Sequence, residues 1–245
     1  MSIDSPDELA GMRAAGEVVA EAIREMAARV RPGVTTAELD QAAADVFARH
    51  GARSGPQLDY DFPGVTCISL DDEAVHGIPS ARRRLKAGQL VKLDVTAELN
   101  GFYADACRTV AVGQPRNRDQ RLMDAAESAL KLGLEQAKAG NNVGAIGAAV
   151  QNEVERHGFS VCTELSGHGI GRRIHEEPDV PNIAWDGPEL TDGLVITIEP
   201  IIAAGRGDVY VDDDGWTVRT DDGSRSAHFE HTIVITKDEP ILLTA

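Results

Sequence analysis

The chain has 245 residues, 42% of them hydrophobic and 26% charged, with 24 glycines and 11 prolines. That is globular composition, too apolar for a disordered chain and without any run near the ~20 uninterrupted apolar residues of a membrane span. Its 24 basic and 40 acidic residues leave a net charge of −16, which repels phosphate backbones and argues against direct nucleic-acid binding.

Helix signals come first. Ser5-Pro6-Asp7-Glu8 offers an N-cap serine, a proline at the first helical position and a glutamate at the third. Leu9 to Val30 then carries apolar residues at helical spacing and stops at Arg31-Pro32-Gly33. A second helix is expected from Thr35, with Glu38 completing a capping box, to His50-Gly51. The pattern then turns to β: Val65 to Leu70, Leu90 to Ala97 and, across an Asn100-Gly101 turn, Phe102 to Val112. Helices are expected again from about Asp119 to Ala139 and from Val143 to His157, followed by further β-type runs.

This order points to an internal duplication, approximately residues 5–113 and 114–245 of one catalytic domain. Arg49-His50-Gly51 recurs as Arg156-His157-Gly158, and Gly33 recurs as Gly140 at the same offset. Gly88-Gln-Leu-Val-Lys-Leu-Asp94 resembles Gly193-Leu-Val-Ile-Thr-Ile-Glu199, with the acid six residues after the glycine each time. Two α-α-β units packed sheet to sheet, helices outside, would leave a cleft that receives acids from both halves.

With Asn100-Gly101 as a two-residue turn, Asp94 lies opposite Cys107 and Asp105 opposite Thr96, all on one face, while Leu93, Val95, Ala104 and Ala106 share the other. Alone, that describes an amphipathic hairpin with two solvent-facing acids equally well. The second half adds Glu199 at the end of the apolar run Leu194 to Ile198, and Glu230 at the start of another. Acids embedded in such strands are costly unless paired or coordinating. His168 sits in Gly167-His168-Gly169-Ile170-Gly171, a backbone suited to close approach; His50 and His157, at helix ends, fit a surface role better. Asp94, Asp105, Glu199 and Glu230 carry four negative charges, the complement of two divalent ions. With one imidazole they form an oxygen-rich set suited to Mn, Co or Fe, with Zn also compatible. Two such ions can bridge a water and lower its pKa toward neutrality, supplying a hydroxide nucleophile.

Cys67, Cys107 and Cys162 cannot close a disulfide framework, and none lies in a CxxC pair, so a zinc–thiolate site is not expected. The acidic N-terminus lacks the layout of a signal peptide. A soluble cytoplasmic protein without membrane association is expected.

Taken together, His76-Gly-Ile-Pro, Leu93-Asp94-Val-Thr, Asp105, Gly-His168-Gly-Ile-Gly, His175-Glu-Glu-Pro, Ile-Glu199-Pro and Glu230-His-Thr-Ile-Val resemble the type I methionine aminopeptidases over nearly the whole chain. The resemblance implies an α+β pita-bread fold of two pseudo-symmetric halves, with an inner antiparallel sheet and outer helices. It implies removal of N-terminal, chiefly initiator, methionine from peptides and nascent proteins, with two divalent metals (Co, Mn, Fe or Zn) on Asp94, Asp105, His168, Glu199 and Glu230. His76 and His175 would contact substrate. Glu199 would accept and pass on a proton, His175 would stabilise the oxyanion, and His76 would contact the scissile amide nitrogen. A monomer is expected, with at most transient ribosome contact, because surface acidity opposes lasting contact with RNA.

The likeness weakens around the side-chain pocket. Phe62, Cys67 and Trp216 stand at pocket-lining positions, and Phe62 and Cys67 suit a thioether. Family members usually have a Gly-Tyr-His-Gly-Tyr-Pro-like segment where Leu58-Asp59-Tyr60-Asp61-Phe62-Pro63 stands, an aromatic residue where Ile174 stands and a cysteine where Val75 stands. Asp59 and Asp61 read either as solvated loop acids or as carboxylates at the pocket mouth that select another residue. Three other readings stay open: an Xaa-Pro aminopeptidase or prolidase, a paralogue of altered N-terminal specificity, and a non-catalytic peptide-binding module.

Overall fold

The four long helices lie where their capping signals put them. In the computed structural model, which describes residues 1–245, α1 (Pro6–Arg29) begins behind Ser5, whose hydroxyl accepts from the Glu8 amide. The Glu8 carboxylate reaches one residue further back than a capping box requires, to the Asp4 amide. α2 (Thr36–His50) has the full reciprocal box between Thr35 and Glu38 and ends on Gly51 in the left-handed region. Next come β1 (Arg53–Ser54), α3 (Gly55–Tyr60), β2 (Cys67–Leu70), β3 (Glu73–Val75), β4 (Leu90–Leu99) and β5 (Phe102–Ala111). The second half repeats the order with α4 (Asn117–Gln136) and α5 (Val143–Arg156). After these run β6 (Ser160–Val161), β7 (Ser166–Gly169), β8 (Glu176–Pro181), β9 (Val195–Ile198) and β10 (Ile201–Ala203). The chain closes with β11 (Val209–Val211), β12 (Val218–Thr220), β13 (Ser226–His228), β14 (His231–Val234) and β15 (Ile241–Leu242).

Three local departures from the sequence reading have identifiable causes. β2 starts at Cys67 rather than Val65 because the Val65 and Thr66 amides donate to the Asp40 carboxylate instead of a strand. α4 stops at Gln136 because the chain turns away to let the Ala139 amide reach the Thr236 carbonyl. The short α3, capped by Ser54 with Pro56 in its first turn, has no apolar periodicity to announce it.

The β4–β5 hairpin has the expected register: Asp94 faces Cys107, Thr96 faces Asp105, and Leu99 pairs with Phe102 across the turn. Asn100 and Gly101 both have positive φ, +53° and +84°, as a two-residue turn between right-twisted strands demands. Leu93, Val95, Ala104 and Ala106 are fully buried on the outer face, in one cluster with Val18, Ala22 and Met26 of α1 and Leu39, Ala43 and Val46 of α2. The helices thus cover the apolar face and leave the acid-bearing face to look inward. A second cluster packs α4 and α5 on strands of the second half, including Ile196, Ile198, Ile202 and Ile233.

The strands form four antiparallel sheets rather than one continuous ladder. Among the connections that tie the halves together, two run along strands. β3 of the first half pairs with β12 of the second, Val75 beside Val218. Along β5, the Glu230 amide donates to the Cys107 carbonyl at 2.9 Å. On either side of that bond, threonine hydroxyls take the place of backbone groups. The Asp105 amide donates to Thr232 Oγ1 at 2.9 Å, and that hydroxyl donates back to the Asp105 carbonyl at 2.7 Å. The His228 amide and carbonyl make the same exchange with Thr109 Oγ1, both at 2.8 Å. No helix is long and apolar enough to cross a membrane.

Replacing Gly101 by alanine puts a Cβ on a left-handed residue and should destabilise the protein by about 1–2 kcal/mol, read as a lower urea midpoint with an unchanged m-value.

Candidate functional site

Asp94 and Asp105 project from adjacent strands of the hairpin. Glu199 is the residue after β9, and Glu230 lies between β13 and β14. With His168 of β7, these side chains line a cavity of 730 Å³ between the two halves. Asp105, Glu199 and Glu230 are buried at 6%, 8% and 2% exposure, while Asp94 is half-buried on the cavity wall.

None of the four carboxylates is paired with lysine or arginine. Burial pushes all of them up. Asp94, Glu199 and Glu230 rise well above the carboxylate range, with the charge of Asp105 adding to each. Asp105 rises to about 6 even though Thr96 Oγ1 donates to it at 2.8 Å. Four of the five buried side-chain polar atoms lacking any partner are here: Asp105 Oδ1, Glu230 Oε1 and both ring nitrogens of His228. Crowded, unpaired oxygens with lone pairs left over are what a divalent cation satisfies. The residues therefore fit the metal expected from the sequence. Cys107, on the same face, is pushed well up by burial and by these carboxylates, so it offers no thiolate.

His168 is presented in one orientation. Its Nδ1 donates to the Gly169 carbonyl at 2.9 Å, which leaves the Nε2 lone pair free and 3.5 Å from Glu199 Oε1. Burial draws its pKa down to about 3, so the ring is neutral and able to ligate. Gly167 and Gly169 are required by close approach: a Cβ on either would stand 2.6 Å from the Thr197 carbonyl oxygen or 2.2 Å from that of Glu177. Thr197 in turn donates to Glu199 Oε1 at 3.1 Å.

The remaining residues named from the sequence, His76, His175, Phe62, Cys67, Trp216 and Ile174, line the same cavity. His76 has φ +59°, an uncommon conformation for a non-glycine residue, and stays open to water where β3 ends. Phe62 and Trp216 meet edge to face at 5.2 Å, and with Cys67, Ile174 and Ile201 they make an apolar wall. His175 Nδ1 lies 2.6 Å from the Tyr60 hydroxyl. His50 and His157 stay at the surface, on Glu21 and Glu153 respectively.

Asp59 is exposed, as a solvated loop acid is, and it stands off the cavity, with its carboxylate tied down by two hydrogen bonds. Its Oδ1 accepts from the Tyr103 hydroxyl at 3.0 Å and its Oδ2 from the Ile174 amide at 3.2 Å. Asp61 is the left-handed cap of α3. Both lie off the cavity wall. Tyr60 and His228 are among the wall residues with no earlier reading. Tyr60 is brought in by α3, and only the fold reveals it. His228 had a usable signal, standing two residues before Glu230 in a β-type run, where alternation turns both side chains the same way.

A model of the protein family described as Metallopeptidase family M24 matches residues 10–237. Methionine aminopeptidase 2 of Bacillus subtilis is 45% identical over 247 residues, covering 100% of this chain and 99% of its own. The methionine aminopeptidase of Escherichia coli K12 is 40% identical, covering 100% and 94%. Among solved structures, the Thermotoga maritima methionine aminopeptidase superposes with a TM-score of 0.97 at 36% identity, covering 100% of this chain and 99% of that one. The pita-bread architecture is therefore shared along the full length.

The electrostatics set a stability profile. A carboxyl whose folded pKa is raised holds its proton more tightly when folded, so its contribution is fully present below about 3.9, the unfolded value of aspartate. For Asp105 it is lost as pH rises through about 6. Chelator-treated protein should lose stability between about pH 4 and pH 7, on the order of 2–3 kcal/mol from Asp105 alone. A millimolar divalent cation should restore it. Thermal unfolding with and without chelator reads this, and Asp105→Asn should flatten the pH slope while weakening the cation's effect.

Proposed function

This chain belongs to metallopeptidase family M24, and from that premise we propose that it removes N-terminal methionine from peptides and nascent proteins, using two divalent ions held by Asp94, Asp105, His168, Glu199 and Glu230. The observation that carries the reading is the convergence, in one cavity, of three buried carboxylates and a half-buried fourth, none neutralised by lysine or arginine, with an imidazole whose lone pair is free. The cavity wall supports methionine as the residue released. The edge-to-face pair Phe62–Trp216, with Cys67, Ile174 and Ile201, gives an apolar slot in which sulfur and aromatic surfaces contact favourably. Glu164, Glu177 and Asp179, also on the wall, favour a cationic α-amine.

Divalent ions bound there would supply a water of lowered pKa and polarise the scissile carbonyl. Glu199, whose affinity for protons is raised by its surroundings, accepts the proton of the attacking water and returns it to the leaving amine. His175 is kept neutral by burial, which lowers its pKa. With the Tyr60 hydroxyl donating to Nδ1, the proton of His175 sits on Nε2, where it can be donated to a developing oxyanion. His76, at the other wall, contacts the amide nitrogen of the scissile bond. The apolar slot orients the side chain and excludes water around it.

The two-half organisation supports duplication over approximately 5–113 and 114–245. Gly33 and Gly140 share φ +92°, and Gly51 and Gly158 have φ +69° and +73°.

Release of the first residue from Xaa-Ala-Ser peptides, by chelator-stripped protein before and after addition of Mn, Co, Fe or Zn, tests this reading. Metal-dependent release from Met-Ala-Ser above all others is expected. Preference for another residue would overturn the specificity, and no release with any metal would overturn the enzyme. Tyr60→Phe frees the His175 tautomer and should lower kcat about tenfold, the equivalent of one net hydrogen bond, with KM little changed. Steady-state kinetics on Met-Ala-Ser measure both.

A further inference from the structure

We propose that His228 is a further nitrogen ligand of the metal centre, so that two imidazoles, His168 and His228, flank Glu199 rather than one. The proposal rests on the metal-binding reading above and adds to it a residue that the sequence motifs do not include.

His228 ends β13, where its backbone pairs with Ile201 and is clamped on both sides by Thr109 Oγ1. The residue is 2% exposed, and its ring lies on the cavity wall. Neither Nδ1 nor Nε2 has a hydrogen-bond partner. An imidazole so placed has lost water without gaining a hydrogen bond, so a fold that fixes its backbone this firmly invites a partner from the cavity. Nε2 lies 3.6 Å from Glu199 Oε2 and 3.6 Å from Glu230 Oε2. That is too long for a hydrogen bond. It matches the separation of two donors on one ion, since ligands about 2.0–2.2 Å from a metal at a tetrahedral angle stand about 3.4 Å apart.

His168 sets the comparison. Its Nε2 stands 3.5 Å from the other oxygen of Glu199. Glu199 therefore lies between two imidazoles, each spaced from one of its oxygens as co-ligands are. The donor atoms of Asp105, His168 and Glu230 lie within 4.8 Å of one another, and so do those of Glu199, His228 and Glu230. These are two overlapping sets that share Glu230, and each has its own histidine. A second nitrogen shifts the centre's preference from manganese toward iron, cobalt or zinc.

The test uses the full chain loaded with two equivalents of cobalt(II). X-ray absorption fine structure at the cobalt edge counts imidazoles by their multiple scattering, whatever the activity. The expected result is two imidazoles per pair of ions in the wild type and one in His228→Gln. Calorimetry should show binding of one cobalt ion weakened at least tenfold in the variant. His228→Asn serves the same purpose if the glutamine variant fails to fold. A single imidazole in the wild type, or two retained in the folded variant, would overturn the proposal while leaving the metal reading intact. Failure of the wild type to bind cobalt would overturn both.

Discussion

Four carboxylates meet in the interior of this protein with no lysine or arginine to neutralise them, and the surrounding structure is arranged around that repulsion. Left alone, the cluster favours protonated acids, and the raised pKa values of Asp94, Asp105, Glu199 and Glu230 record the strain. A fold that merely tolerated such a cluster would lose little by scattering it. Here the groups are instead held by directed bonds, from Thr96 to Asp105 and from Thr197 to Glu199. A cation would relieve that cost without a further desolvation penalty, because the desolvation has already been met by the rest of the fold.

What meets it is the packing outside. The apolar outer face of the hairpin is sealed under α1 and α2, and β9 and β14 are sealed under α4 and α5. The threonines on the seam then set the two sheets in register at the point where the acids converge. Thr109 and Thr232 each offer one hydroxyl as both donor and acceptor to the facing backbone, so Asp105, Glu230 and His228 are positioned by main-chain bonds on either side of their own side chains. A hydroxyl can make this exchange where twisted strands no longer bring backbone to backbone.

The pocket shows how local departures from a family pattern can be absorbed. The acidic segment 59–61 has the composition of a changed specificity. Folded into α3, it spends Asp59 on Tyr103 and the Ile174 amide and Asp61 on a helix end, and it delivers Tyr60 to His175. The charges leave the substrate wall, which stays apolar around Phe62, Cys67 and Trp216. The segment supports the position of Ile174 and holds the ring of His175 through the Tyr60 hydroxyl.

Much of this was legible in the sequence because it depends on short-range rules. Ser5, Thr35 with Glu38, and Gly51 mark helix ends through bonds within one turn. Asn100-Gly101 sets the hairpin register through two backbone angles, and alternation then puts Asp94 and Asp105 on one face. The motifs around His76, His168, His175, Glu199 and Glu230 carried the family. Other features were decided only by the tertiary structure, because they depend on what arrives from far along the chain. Asp59 looks free until Tyr103 and Ile174 approach it, and Tyr60, still at the surface in the fold, has no visible partner until α3 turns its hydroxyl toward a residue 115 positions away. His228 is one of several histidines until the seam clamps it beside Glu199 and Glu230 with both nitrogens unmet. Periodicity and capping act over a few residues and can be read in order. A carboxylate's partner or an imidazole's burial is set by chain closure, which no local pattern encodes.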